Sequence, residues 1–459
     1  MTVAVVLFTS DLRLHDHPPL HAALASADEV VPLFVRDEAV EAAGFGVPNR
    51  LAFLADCLRD LDAGLRERGG RLVVREGDAV EETCRIVTET GAGTVHTAAG
   101  VSSFAHRREE RLREALGSQG CGLRVHDAVV TVVAPGAVVP SGPDRDHFAV
   151  FTPYFRRWSE EGLRQVFRAP RTVAVPEGPA SAALPSRDGV REVSPGLAEG
   201  GEEAGRRLLT AWRRDGLAAY EERHDDLAGD ATSRLSPHLH FGTLSPTEVV
   251  SRAREAGGPG GEAFVRQVCW RDFHHQVLAA RPAASRTDYR ARNDRWRTGR
   301  AAEKDTTAWK EGRTGYPVVD AAMRQLLHEG WMHNRGRLLA ASFLTKSLYV
   351  DWRVGARHFL DLLVDGDVAN NQLNWQWVAG TGTDTRPNRV LNPVTQAKRY
   401  DPDGAYVRRW IPELSEVAGP AVHEPWKLPE SRRSRLDYPE PVVGLSEGLA
   451  RFKEARGLD

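Results

Sequence analysis

The chain has 459 residues, 41% hydrophobic and 27% charged, with a formal net charge of −2 at pH 7. This balance excludes a disordered chain, gives no global electrostatic sign of a nucleic-acid partner, and leaves room for two or three soluble domains. The four cysteines, Cys57, Cys84, Cys121 and Cys269, show neither paired metal-ligand spacing nor a disulfide framework, which fits a reducing compartment and no bound metal. The amino terminus, Met1-Thr2-Val3-Ala4-Val5-Val6, lacks a basic region and a cleavage site, and no apolar run reaches the roughly 18 residues of a membrane span. A cytoplasmic location is expected.

Short apolar runs at Val3–Phe8, Val30–Val35, Leu72–Arg75, Thr94–Thr97 and Leu123–Val130 predict buried strands, with amphipathic helical spacing at Arg50–Arg68 and Phe104–Leu116 between them. Residues 1–130 therefore read as a doubly wound parallel α/β domain. The turn after the first strand, Thr9-Ser10-Asp11-Leu12-Arg13-Leu14-His15-Asp16-His17-Pro18, carries no Gly-x-Gly-x-x-Gly, so a conventional dinucleotide site is not expected there. Residues 131–203 are rich in Pro, Gly and Ser and read as a long surface connector. From 204 to 459 helical periodicity takes over, and ten of the eleven tryptophans lie there.

Three stretches in this carboxy-terminal part carry chemistry. Residues 266–300 hold nine arginines against three aspartates, with Trp270, Tyr289 and Trp296 interleaved. Arginine among aromatics suits phosphate contact with base stacking, and equally a salt-bridged helical face. Thr232-Ser233-Arg234-Leu235-Ser236-Pro237 sets three hydroxyls ahead of a proline able to open a helix, where a phosphate or a simple cap fits. Asp365-Gly366-Asp367-Val368-Ala369-Asn370-Asn371-Gln372-Leu373-Asn374-Trp375-Gln376-Trp377 gathers carboxylates, amides and two indoles, groups that can fix the edge of a redox-active ring and feed it an electron. A capped helix with core tryptophans has the same composition.

These stretches recur in order with Cys269-Trp270-Arg271-Asp272-Phe273, Thr314-Gly315-Tyr316-Pro317-Val318-Val319-Asp320 and Trp331-Met332-His333-Asn334-Arg335. Together they closely resemble the photolyase/cryptochrome flavoproteins, and among them the class I DNA photolyases, from residue 3 to about residue 442. The resemblance implies an α/β antenna-chromophore domain over 1–130, a connector over 131–203, and an all-helical FAD- and DNA-binding domain over 204–459. It also implies light-dependent repair of cyclobutane pyrimidine dimers. In that chemistry photoexcited, reduced FAD passes an electron to a dimer flipped out of the duplex, the ring splits and the electron returns.

Carried over position by position, the FAD contacts fall on Tyr220, Thr232, Ser233, Arg234, Leu235 and Ser236 around the phosphates, and on Arg271, Asn334, Arg337, Asp365, Asp367 and Asn371 around the flavin. Asn371 matches the amide beside flavin N5, and Arg337 is expected to neutralise Asp365. Gln267, Trp270, Asn334, Arg335 and Trp377 match the lesion cavity, the two indoles stacking on the dimer. Trp375, Trp352 and Trp296 match an electron-transfer chain that photoreduces oxidised flavin. Gln267 stands where a Glu hydrogen-bonds the dimer, His224 where an Arg is usual, Leu338 for a Met, and Phe264 where some relatives place a flavin-contacting Trp. A glutamine keeps an acceptor but not the charge, so a modest cost to repair is expected.

The family's second chromophore implies a pocket at Phe34, Arg36 and Arg50, although Gly100 stands where an acidic contact is common. The segment Asp384-Thr385-Arg386-Pro387-Asn388-Arg389-Val390-Leu391-Asn392-Pro393 resembles the 8-hydroxy-5-deazaflavin type more than the 5,10-methenyltetrahydrofolate type. The partner expected is UV-damaged DNA, met by a monomer with no obligate protein partner. A cryptochrome-like blue-light sensor and a (6-4) photolyase are the alternatives.

Overall fold

The computed structural model describes residues 1–143 and 145–458. These form two compact units, one of Met1–Val193, Ala198–Ala218 and Ser233–Pro282, the other of Ser194–Leu197, Ala219–Thr232 and the chain from Ala283 onward.

The first unit is built on five parallel strands, β1 (Val3–Phe8), β2 (Glu29–Asp37), β3 (Val73–Gly77), β4 (Thr94–Ala98) and β5 (Gly122–His126), in the order β3-β2-β1-β4-β5. Ala4 to Phe8 and Val30 to Val35 are buried at successive positions, so both faces of the sheet are covered and the strands read as unbroken apolar runs. Helices Pro18–Ser26, Pro48–Arg66, Ala79–Thr90 and Ser103–Ser118 make the crossovers. The strand order reverses between β1 and β4, the place where open α/β sheets offer a crevice.

The expected doubly wound sheet is present, with two differences of detail. The last strand was expected to run to Val130 and stops at His126, because Ala128 takes a left-handed φ of 52°. The freed carbonyls of Val129 and Val130 instead accept from Arg13 (3.0 Å) and Arg271. Two helices escaped the periodicity: Pro18–Ser26, capped by the His17 ring, and Ala79–Thr90, capped by Asp78. A third helix, Phe151–Glu160, rises within the Pro- and Gly-rich stretch and buries Phe151, Tyr154 and Trp158.

The turn after β1 is filled with fixed charge rather than open to phosphate. Arg13, 1% exposed, donates to the carbonyls of Asp16, Val129 and Gly242. Asp11 meets His17 at 2.8 Å, and Asp16 takes Arg164, Ser245 and the Phe167 N–H. Gly242 is required here, since a Cβ would stand 2.0 Å from the Ser10 carbonyl oxygen.

The second unit is helical, with Pro317–Glu329, Asn334–Ser342, Trp352–Leu362 and Val368–Ala379 around a core that includes Trp309, Trp352, Trp375, Phe343 and Tyr316. Among the described residues no helix is long and apolar enough to cross a membrane.

Candidate functional site

In the first unit, helix Gly258–Ala280 carries Phe264, Gln267, Trp270 and Arg271. Trp270 lies flat on Phe151, ring centroids 3.7 Å apart at 3°, with Phe273 edge-on at 5.5 Å. One face of the half-buried indole is thus taken by Phe151, and the His274 ring lies 5.8 Å away at 30°. Gln267 is exposed, one helical turn earlier. Arg266 covers Phe151 and Phe155, 4.9 Å from each ring centre. Arg271 is fixed by the carbonyls of Val130 and Leu239, the latter at 3.1 Å, and its remaining N–H groups can serve a ligand. Phe264 is buried and tilts against Trp212 at 5.7 Å, so the position acts as core.

Arg234 adopts a left-handed φ of 51°, uncommon for a side-chain-bearing residue, and leads Leu235 into the short helix Ser236–His240. The Ser233 hydroxyl accepts from the Leu235 N–H at 3.4 Å, and Ser236 is exposed. Phe34 sits in β2 opposite Phe8, Arg36 pairs with Glu76 at 2.6 Å, and buried Arg50 donates to the Phe45 carbonyl at 3.1 Å. A Cβ on Gly100 would fall 2.2 Å from that of Ala105, and the Gly100 N–H is taken by Glu109 at 2.7 Å.

In the second unit one of the two acids of the Asp365 stretch is placed by a helix end and the other by an arginine. Asp367 caps helix Val368–Ala379 through the Asn370 N–H at 2.7 Å, which sets Asn371 one turn inside and buried, its amide donating to the Ala356 carbonyl at 3.0 Å. Arg337 meets Asp365 at 2.7 Å, the pairing expected from the sequence. His333 caps helix Asn334–Ser342 by accepting from the Arg335 N–H at 3.1 Å. Burial pushes the His333 pKa down to about 4, so the ring stays neutral and able to accept. Asn334 is exposed at the start of that helix.

Arg335 is held by Asp225 at 2.5 Å and lies 4.3 Å over the Tyr400 ring. It also lines a cleft with Ser342, Trp377, Asp384, Arg389 and Leu391. Trp375 is 2% exposed and meets Phe359 edge-on at 4.9 Å; Trp352, fully buried, donates to Asp288 at 2.8 Å. Trp296 is half-buried and packs on Tyr349 at 4.9 Å. Tyr220 is buried and tilted on His224 at 5.3 Å.

Residues 4–177 match the DNA photolyase family model, and residues 264–457 match the FAD binding domain of DNA photolyase. Over 459 residues the chain is 71% identical to a deoxyribodipyrimidine photo-lyase of Streptomyces griseus, covering 100% of both chains. The chain belongs to the photolyase/cryptochrome family. Among solved structures it is similar to a class III photolyase from Agrobacterium tumefaciens, with a TM-score of 0.92 and 32% identity, covering 100% of this chain and 97% of that one. It is also similar to a cryptochrome from Synechocystis, with a TM-score of 0.91 and 29% identity over 99% of each chain.

FAD is the cofactor this family fold binds, and two buried oxygens fit it. The Thr232 hydroxyl, at an expected phosphate contact, is buried with no partner among the described residues. Asp365 uses one oxygen on Arg337, while Oδ1 is buried without a donor. A buried acceptor left unpaired is costly, so each is built for a donor or polar group that the protein itself does not supply. Sequence reasoning missed the supporting groups, namely Asp225 and Tyr400 under Arg335, Asp288 under Trp352, and Asp272. Asp272 is fully buried and receives Trp158 Nε1 at 2.9 Å and the Val132 and Val133 N–H groups. Each is remote in the chain from what it fixes, so no local motif announces it.

Proposed function

We propose that this protein repairs cyclobutane pyrimidine dimers in DNA by light-driven electron transfer. The observation that carries the reading is the half-buried Trp377 in a cleft lined also by Arg335, Arg389 and Asp384, an aromatic platform beside two guanidinium groups, of which Arg335 is oriented by Asp225. Stacking on that indole orients a flipped-out dimer, and the guanidinium groups suit the flanking phosphates. Trp270, half-buried, supplies a second platform, and Gln267, exposed, a neutral hydrogen-bonding contact to the pyrimidine edge. Asn334 and Arg335 complete the lesion contacts.

The reduced FAD supplies the photoexcited electron when bound. The protein's part is binding, orientation and electrostatics. Tyr220, Thr232, Ser233, Arg234, Leu235 and Ser236 hold the phosphate end. Arg271, Asn334, Asp367 and Asn371 would hold the flavin, with Arg337 bonded to one oxygen of Asp365 and the second oxygen left to accept. Trp375, Trp352 and Trp296 relay electrons inward. We assign residues 1–130 to an antenna chromophore, with 8-hydroxy-5-deazaflavin preferred over 5,10-methenyltetrahydrofolate at Phe34, Arg36 and Arg50, residues 131–203 to the connector, and 204–459 to FAD and DNA. In this reading the protein acts as a cytoplasmic monomer on UV-damaged DNA.

The likeness to the Synechocystis cryptochrome favours, as a second reading, a light sensor without repair. The two part on binding. The proposed function requires tighter binding to a duplex carrying one thymine dimer than to the undamaged duplex, with the preference lost in Trp377→Ala. Equal affinity for both duplexes counts against repair.

A further inference from the structure

Lys346 is 1% exposed, at the end of the helix that opens at Asn334. Six of the chain's 61 lysines and arginines are lysines, and this is the only buried one of the six. The closing turn, Phe343–Ser347, is widened into a π-helix, the Leu348 N–H reaching back to the Phe343 carbonyl at 2.9 Å. Such turns are rare and gather at functional sites. At this one the ammonium donates to two backbone carbonyls, those of Pro387 at 2.6 Å and Arg389 at 2.7 Å. The Phe452 ring centre lies 5.2 Å from the same nitrogen.

Both carbonyls belong to residues 381–392, a loop with no helix or strand of its own. Its Asp384, Arg389 and Leu391 line the cleft that holds Trp377 and Arg335, and its Arg386, Asn388 and Arg389 are exposed. Among the described residues, Lys346 is the one side chain from outside the loop that bonds residues 385–390. Towards the far end the Leu391 N–H donates to the Ser342 hydroxyl at 3.2 Å, and within the loop Asp384 accepts from the Arg386 N–H at 2.8 Å. The Pro387 carbonyl is held between the ammonium and Gly380, the residue that ends the Trp377 helix, where a Cβ would stand 2.3 Å from it. Lys346 therefore ties the arginine-bearing wall of the cleft to the helix that carries its indole.

Among the described residues Lys346 meets no carboxylate at ion-pair distance. The charges facing it are Asp384 and Arg389 on the loop, Asp294 on the segment before Trp296, and Arg456 on helix Leu445–Arg456, two of each sign. Burial, and then Arg456, push the Lys346 pKa down to about 7. Arginine, the usual cation of this chain, would keep its charge throughout, whereas a buried lysine can lose it. We propose that Lys346 is a positioning residue for lesion recognition: its ammonium holds the Arg386–Arg389 wall of the Trp377 cleft, and its deprotonation loosens that wall and weakens binding of damaged DNA. The inference rests on the reading of this cleft as the lesion site. A neutral amine keeps two N–H donors but gives up the charge assistance, which about halves the strength of each bond. The loop then loses the one outside hold on its centre, and with it the fixed placement of two guanidinium groups beside the indole.

The test is binding of a duplex carrying one thymine dimer by the FAD-loaded protein at pH 6 and pH 8.5, with magnetic resonance of the 15N-lysine-labelled protein over the same range. The expected affinity is about tenfold lower at pH 8.5 than at pH 6. One of the six lysine nitrogen signals should titrate near neutral pH, and that titration should move to higher pH when the damaged duplex binds, as reciprocity requires. Lys346→Met, of similar volume and without charge, should bind at pH 6 as weakly as the parent at pH 8.5 and show a flatter profile. Intact preference for the dimer with level affinity across this range, or a profile that Lys346→Met leaves unchanged, overturns the proposal alone. So does a lysine set in which no signal titrates below pH 9, a result read on the unmutated protein even where the variant does not fold. Equal affinity for damaged and undamaged duplexes at both pH values overturns the lesion reading and the proposal with it.

Discussion

Gly355→Ala is expected to destabilise the second unit and disturb Trp375, although helix propensity argues the other way. Gly355 lies inside helix Trp352–Leu362, where alanine is intrinsically better than glycine by about 1 kcal/mol. A Cβ there would stand 2.1 Å from Trp375 Cη2, 2.5 Å from Cζ3 and 2.7 Å from Leu344 Cδ2. The indole cannot swing clear, since it is 2% exposed and edge-on to Phe359 at 4.9 Å and Trp309 at 6.0 Å. Overpacking of this severity belongs at the upper end of the usual cost, about 3 kcal/mol. The net loss is then about 2 kcal/mol, which at about 2–4 °C per kcal/mol lowers Tm by about 4–8 °C. Thermal melting and the rate of flavin photoreduction read the two consequences, and both should fall. A variant that melts at or above the parent temperature and photoreduces normally would refute the claim that glycine is kept here to admit the indole.

Trp375→Phe should block photoreduction of oxidised FAD while chemically reduced protein still repairs; equal loss of both activities would defeat the relay assignment. Asp365→Ala leaves the Arg337 guanidinium partly buried without its carboxylate and should cost about 3 kcal/mol, with lower FAD content in the purified protein, measured by absorbance against denaturant melts. Acid sensitivity should come from His238 and His333, each 2% exposed, whose pKa values burial pushes down to about 4. Their folded pKa lies below the unfolded value of about 6.5, so the stability they contribute is complete above pH 6.5 and lost as pH falls through 4, by about 3 kcal/mol each. Urea midpoints that stay level between pH 7 and pH 4 would contradict this.

What could be read from the chain was what repeats locally. The apolar runs at Val3–Phe8 and Val30–Val35 announced the parallel sheet because both faces are covered, and the run at Leu123–Val130 overshot because a single left-handed residue, Ala128, ends the strand without a Gly or Pro signal. Helix Phe151–Glu160 was hidden by the turn-rich composition around it; only its buried aromatics, brought under Trp270, explain it. The Arg337–Asp365 pair was legible because a buried acid needs a cation. The groups that fix the site, Asp225 beneath Arg335 and Asp294 beneath Tyr349, were not, since their partners lie 110 and 55 residues away.

Repair of an oligonucleotide carrying one thymine dimer, by purified and reduced protein under near-UV or blue light with a dark control, bears on the proposed function without intermediaries. Light-dependent return of the two thymines is the expected result and would show that Gln267 suffices at the lesion. FAD-loaded, photoreducible protein that leaves the dimer intact in the light would contradict it and shift the reading to (6-4) repair or light sensing.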